Sequence, residues 1–345
     1  MLTTQGKESV LWSFGNAADG STPYGGLIFD TSGNLYGTTR NGGSYQQLLG
    51  GYGTAFELMP PAVAGGNWTE SILWNFGNFS DGANPAAGLI RDGSGNLYGT
   101  TQGGGNSTSG TGTVFELAPP ISPGGSWTES ILWSFNGYSI ANYSRDGSWP
   151  NAGLLMDKSG NLYGTTSYGG WVYGAVGVVF ELTPPISAGG AWSESVLWSF
   201  GPKNGPDGSE PFAGLVMDPS GTLYGTTTFG GSAGTVFALK PPATVGGSWS
   251  ETVLWSFGGA TDGEGPGFGN LFLDAAGNLY GTSIGGGIYY GSVPGGTVFE
   301  IDPSGPTATP STTHHHPDAY SHCDAGPSLA DHRAKTGELR PLFLW

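Results

Sequence analysis

The chain has 345 residues, of which 66 are glycine and only 10% are charged, while 13% are aromatic. So much glycine with so little charge excludes a helical protein, and that aromatic content excludes a disordered one. The formal net charge of −16 excludes a surface built to neutralise phosphate, so no nucleic-acid partner is expected, and it disfavours an anionic membrane.

The first residues, MLTTQGKESVLWSF, lack the charged and then apolar regions of a signal peptide. No apolar run is long enough to span a bilayer, so no membrane insertion is expected. The first patterned element is ESVLWSF, Glu8 to Phe14, which alternates with period 2: Val10, Trp12 and Phe14 face one way, Ser9, Leu11 and Ser13 the other. GLIFD, Gly26 to Asp30, is a short apolar run suited to a strand buried on both faces. NLYGTT follows at Asn34 to Thr39, and GTVFEL, Gly112 to Leu117 in the next copy, supplies a fourth strand rich in β-formers.

This order then repeats. DTSGNLYGTT at Asp30 returns as DGSGNLYGTT at Asp92, DKSGNLYGTT at Asp157, DPSGTLYGTT at Asp218 and DAAGNLYGTS at Asp274. The full unit of about 60 residues starts at Glu8, Glu70, Glu129, Glu194 and Glu251, which is the signature of a repeat architecture. Four short strands, five times, with no helical periodicity between them, predict an all-β, five-bladed β-propeller over residues 1–303. GLxxD would line the axis and ESVLWSF would be outermost. The N-terminal strand would complete the last blade and so remove the exposed edges.

The repeated motif itself reads as a turn. Asp30 caps backbone N–H groups ahead of it, Gly33 supplies positive φ, and the glycine of LYGTT admits a neighbouring aromatic ring or backbone. D-x-S-G-N also opens calcium loops, but the acidic closing ligand is absent.

Taken together, W-S-F, D-G, A-G-L-x-x-D-x-x-G-N-L-Y-G-T-T and G-T-V-F-E-L, in order from Glu8 to Ile301, resemble the GloVer-type tandem repeat of bacterial "choice-of-anchor" surface proteins. The resemblance implies an exported protein of the cell surface or extracellular space, and it brings no catalytic residues with it.

After Asp302-Pro303 the composition changes. Residues 304–345 hold all five histidines and the only cysteine, so no internal disulfide framework is available. Their Pro/Thr/Ser-rich start reads as a disordered linker and tail, or as an out-of-frame translation, which the foreign composition favours. His314, His315, His316, His322 and Cys323 lack the spacing of a structural zinc site, so no metal is expected there.

Residues 1–303 contain neither His nor Cys, which excludes a Ser-His-Asp triad, a Cys nucleophile and a His/Cys zinc site from the repeats. No cofactor is expected. Carboxylate chemistry remains. Glu210 and Glu264 fall off the repeat pattern and follow Asp207 and Asp262, which makes these four the candidate acid/base set for a polysaccharide hydrolase or lyase.

The favoured reading is binding without catalysis. The Asp-Gly and Gly-Gly loops are expected on one face, where the Gly-Gly loops differ in length and in aromatic content. Tyr45, Tyr52, Tyr168, Trp171, Tyr173, Phe229, Tyr289 and Tyr290 would stack on sugar rings. Asp19, Asp81, Asp146, Asp207 and Asp262 would bond hydroxyls from the same face. A polysaccharide, or a surface protein, is the expected partner. A purely structural repeat is the third reading. The tryptophans of the outer strand are expected to be packing residues.

Overall fold

The computed structural model describes residues 8–15, 18–45, 51–77, 80–106, 110–122, 124–136, 146–170, 176–187, 189–244, 246–258, 262–287 and 295–304. The tail, including the His/Cys cluster, lies outside these residues, as do Trp171, Tyr173, Tyr289 and Tyr290.

The described chain is all-β apart from one 3-10 turn, Pro266–Phe268, and no helix in it is long and apolar enough to cross a membrane. The strands form five antiparallel sheets, each taken from one stretch of sequence and ordered as the chain runs. The first holds β1 (Ile28–Phe29), β2 (Leu35–Thr39), β3 (Thr54–Met59) and β4 (Thr69–Asn75). The second holds β5 (Ile90–Arg91), β6 (Leu97–Thr101), β7 (Thr113–Ala118) and β8 (Thr128–Ser134). The third comprises β9 (Leu155–Met156), β10 (Leu162–Thr166), β11 (Val178–Thr183) and β12 (Ser193–Ser199), and the fourth β13 (Val216–Met217), β14 (Leu223–Thr227), β15 (Thr235–Lys240) and β16 (Ser250–Ser256). The fifth has three strands, β17 (Phe272–Leu273), β18 (Leu279–Ser283) and β19 (Thr297–Ile301).

Innermost segments of all five sheets line one channel, from Tyr24 and Leu27 through Leu89, Leu154 and Leu215 to Asn270, so the arrangement is propeller-like. Each innermost strand is only two residues long. The Asp turn that follows is built as its residues require. Asp30 Oδ1 accepts from the Ser32 and Asn34 amides at 2.8 and 2.9 Å, and Gly33 sits at φ 86°. Burial opposes ionisation of Asp30, yet these backbone bonds outweigh it and hold the carboxyl below its usual range.

The glycine of LYGTT has a definite job. A Cβ on Gly99 would lie 2.6 Å from the Phe115 ring, and on Gly164 2.5 Å from Phe180. On the opposite side, each such phenylalanine meets the phenylalanine that ends the preceding outer strand. Phe76 meets Phe115 at 5.0 Å, Phe135 meets Phe180 at 5.2 Å, Phe200 meets Phe237 at 5.1 Å and Phe257 meets Phe299 at 5.1 Å, all edge to face. These pairs join one sheet to the next. Phe14 makes the same contact with Phe56 at 5.0 Å, so the N-terminal segment occupies the place of an outer strand preceding the first sheet.

Residues 8–14 are not in strand conformation, and no pairing with β19 is seen among the described residues. The exposed flanks match this. Val298 is 75% exposed where Val114, Val179 and Val236 are fully buried, and Leu27 is 49% exposed where Leu89 is 2%.

Each outer strand of the first four sheets carries a glutamate turned inward beside the Asp-Gly aspartate of the loop that leads into its own sheet. Burial, and then the charge of Asp19, raises Glu70 to about 7. Burial with Asp81 raises Glu129 to about 8, burial with Asp146 raises Glu194 to about 8, and burial with Asp207 raises Glu251 to about 7. One oxygen of each glutamate is buried without a hydrogen-bond partner among the described residues.

Two outcomes follow from this packing. Phe115→Ala should cost about 3–5 kcal/mol and Gly99→Ala about 1–3 kcal/mol of stability in denaturant titrations, since one opens a cavity and the other overpacks the ring. The second concerns pH. A carboxyl whose folded pKa is raised holds its proton more tightly when folded. Its stabilisation is complete below the unfolded value near 4.5 and is lost as pH rises through 7 to 8. Melting temperature should therefore fall between pH 5 and pH 9, and a variant carrying Glu→Gln at 70, 129, 194 and 251 should flatten that profile.

Candidate functional site

The Asp-Gly and Gly-Gly loops do emerge together. Short backbone bridges tie them, Ser21 to Asn41, Ala83 to Gly103, Ser148 to Tyr168, Ser209 to Phe229 and Glu264 to Gly285. The second residue beyond each Asp-Gly is followed by proline, and that residue is left-handed in every copy: Thr22 (φ 61°), Asn84 (57°), Trp149 (58°), Glu210 (55°) and Gly265 (62°). For a non-glycine this costs on the order of 1–3 kcal/mol. The conformation aims the backbone N–H at the preceding repeat: Asn84 at Tyr52 O (2.7 Å), Trp149 at Thr111 O (2.9 Å), Glu210 at Val176 O (2.7 Å) and Gly265 at Ala233 O (2.8 Å). The backbone at this position is thus a fixed tie between sheets, while its side chain differs in every copy.

At the third repeat that side chain is Trp149, 45% exposed and perpendicular to Tyr168 (37% exposed), with ring centroids 5.4 Å apart. One repeat on, Lys203 lies 4.1 Å over the Phe229 ring and pairs with Glu210 at 3.2 Å. Phe212 and Phe268 stack at 5.4 Å beside the channel, and Tyr24 stands 64% exposed at its rim with Arg40 5.6 Å from the ring. A polar chain runs between these aromatics. Arg40 Nη2 donates to Gln102 Oε1 (2.6 Å), Gln102 Nε2 to Asn151 Oδ1 (3.0 Å), and Asn151 Nδ2 to Ser167 Oγ (2.6 Å). The channel behind this rim encloses about 340 Å³ and is walled mainly by Gly, Ala and Leu of the inner segments. Exposed ring faces, amide groups and a shallow apolar well suit a ligand with both apolar and hydroxyl-bearing faces.

Of the expected loop aromatics, Tyr168 and Phe229 stand on this face. Tyr45 is half exposed but lies against Gly77. Tyr52 packs into the core cluster of Leu73, Phe76 and Phe115 and is not a surface platform. The five aspartates are placed otherwise than expected. Asp19, Asp81 and Asp146 are buried, and all five cap the chain end that leaves the preceding outer strand. Gly15 N donates to Asp19 and Gly77 N to Asp81 (both 3.3 Å), Asn136 N to Asp146 (3.2 Å), Gly201 N to Asp207 (2.9 Å) and Gly258 N to Asp262 (2.9 Å). The buried Asp19, Asp81 and Asp146 carboxylates so placed hold their loops, while Asp207 and Asp262 hold theirs and stay half-buried.

The off-pattern acids also find local partners: Glu210 is buried on Lys203, and the Glu264 side chain lies against Gly285. Neither contact joins them into an acid/base couple. Among the described residues no three His, Cys, Asp or Glu side chains converge as metal ligands would.

The sequence profile of the Gloeobacter/Verrucomicrobia repeat matches residues 1–203, more than half of the chain. The chain belongs to that repeat family. No curated protein matches this repeat protein. Among solved structures it is similar to a protein of unknown function from Dyadobacter fermentans (11% identity, 81% of this chain and 78% of that one, TM-score 0.43). It is also similar to XC5397 of Xanthomonas campestris, described as a gluconolactonase (13%, 83% and 75%, TM-score 0.42), and to a xylan β-1,4-xylosidase from Bacillus halodurans (14%, 83% and 54%, TM-score 0.38). Likeness at this level carries no activity over to this chain.

In this Gloeobacter/Verrucomicrobia repeat protein the residue that reading from sequence missed is Trp149. It falls outside the Gly-Gly loops, among tryptophans that otherwise recur as packing residues. The available signal was its place before a proline found in all five copies, where the repeats read Thr, Asn, Trp, Glu and Gly.

Proposed function

We propose that this protein is a non-enzymatic binding module of the cell surface or extracellular space. It holds polysaccharide across the face bearing the Asp-Gly and Gly-Gly loops. The observation that carries this reading is the exposed, perpendicular Trp149–Tyr168 pair beside the Gln102–Asn151–Ser167 chain at the channel rim. A sugar ring offers an apolar face to such rings and hydroxyls to such amides. Membership of the repeat family and the acidic surface favour an exported setting. A polysaccharide hydrolase or lyase is the second reading, resting on Glu210, Glu264, Asp207 and Asp262. The test is retention of the full chain on immobilised polysaccharides with released reducing ends assayed in the same wells. Retention without release, weakened on the order of tenfold by Trp149→Ala or Tyr168→Ala, is the expected result. Released ends would replace this reading with the catalytic one.

We further propose that the five repeats form a closed ring in which residues 8–14 pair with β19 as the fourth strand of the last sheet. The Phe14–Phe56 contact supports this, since it repeats the geometry of Phe257 on Phe299. By the register of the other sheets, Val298 would then lie under Trp12. Val298→Glu should lower the melting temperature as strongly as Val114→Glu does. No effect at 298 would mean that this edge stays open.

A further inference from the structure

The turn face of the molecule, opposite the loop rim, is nearly uniform in sequence, but repeat four departs from its siblings at three clustered positions. Thr222 stands where the other copies have Asn34, Asn96, Asn161 and Asn278. Ala238 stands where they have Glu57, Glu116, Glu181 and Glu300. Lys240 stands where they have Met59, Ala118, Thr183 and Asp302. All three line one cavity of about 450 Å³, together with Asp218, Tyr224, Thr252 and Asp302, whose Oδ1 is already held by the Ser304 amide and hydroxyl.

The intact copies show what this position holds. The hydroxyl of Tyr36, Tyr98, Tyr163 and Tyr280 lies 2.8–3.0 Å from an oxygen of its repeat's glutamate. It also lies 3.2–3.3 Å from the turn aspartate. A carboxylate therefore sits beside this tyrosine and this aspartate four times in the same protein. In repeat four the tyrosine and aspartate remain: Tyr224 donates to Asp218 Oδ2 at 3.1 Å. Asp218 Oδ1 is held by the amides of Ser220 and Thr222 and the Ser220 hydroxyl at 2.7–2.9 Å. The glutamate has become alanine, and two residues along the same face of β15 a lysine has appeared. One negative charge is gone and one positive charge has arrived, beside a space of the size that holds small ligands.

We propose that this cavity binds a sugar acid, whose carboxylate takes the place that the glutamate carboxylate fills in the other four repeats. Tyr224 and Lys240 bind that carboxylate, and the hydroxyls of Ser220, Thr222 and Thr252 meet the ring hydroxyls. The site lies on the other face from the loop rim and does not depend on it.

The test is calorimetric titration of the full chain with D-glucuronate, with D-glucose as the neutral control. Glucuronate should bind saturably and glucose about tenfold more weakly or worse. Ala238→Glu, which restores the sequence of the other repeats, should abolish binding without lowering the melting temperature. Lys240→Met should weaken binding roughly tenfold. Equal binding of glucose and glucuronate, no saturable binding of either, or unchanged binding by Ala238→Glu would each overturn the proposal. Trp149→Ala should leave this titration unchanged, so failure here is distinguishable from failure at the loop rim.

Discussion

The contact on which the rest of this structure depends is an edge-to-face pair of phenylalanines laid over a glycine. In the middle of each sheet a ring from the third strand occupies the space that a Cβ on the second strand would take. Its other side is met by the phenylalanine that leaves the preceding outer strand, at 5.0–5.2 Å in all five copies. Aromatic pairs favour this geometry because the positive edge of one ring meets the negative face of the other, and in four of these pairs both rings are buried with large apolar area. One motif thus sets both the thickness of a sheet and its distance from the next. That explains why WSF, LYGTT and TVF recur with so little variation.

A scaffold held in this way leaves its ends free. The inner strands contribute mostly backbone and small side chains to the channel, and the outer strands contribute packing. At the loop rim, the residue before each proline lies in the left-handed region, and in the second to fifth repeats its amide reaches the preceding repeat. That requirement falls on the backbone alone, and the side chain is left to differ: threonine, asparagine, tryptophan, glutamate or glycine. Repetition and specificity coexist because they use different atoms of the same residue.

Charge follows the same division. The turn aspartates are occupied by backbone amides, and the outer-strand glutamates of the first four sheets are pushed toward neutrality by burial and by a neighbouring carboxylate, so these acids serve the scaffold. Among the described residues the cations near the rim, Arg40 and Lys203, each lie over an aromatic ring, and Lys203 also neutralises a buried glutamate. Lys240 is of another kind, because it appears where its repeat has lost an acid.

Much of this architecture was legible in the sequence. The period-2 alternation of the outer strands, the Asp-x-Ser-Gly-Asn turns and the repeat length are local properties, and the backbone follows them in β4, β8, β12 and β16, though not at residues 8–14. Strand order within a sheet was legible too, since consecutive antiparallel strands joined by short loops have little choice of partner. The site was less so. Trp12 was legible as a packing residue from its place in the outer-strand pattern, but only the tertiary structure shows that Trp149 stands in solvent. The five aspartates looked like a surface ring, but loop geometry sets all five on backbone amides and buries Asp19, Asp81 and Asp146. The cavity of repeat four needed the fold as well. Thr222 ends the turn before β14 while Ala238 and Lys240 lie on β15, and they become neighbours only when β14 and β15 pair. Sequence determined the repeat and its turns because those rest on local backbone and side-chain preference; the tertiary structure decided which side chains reach solvent and which meet each other, because that depends on how separate strands pack.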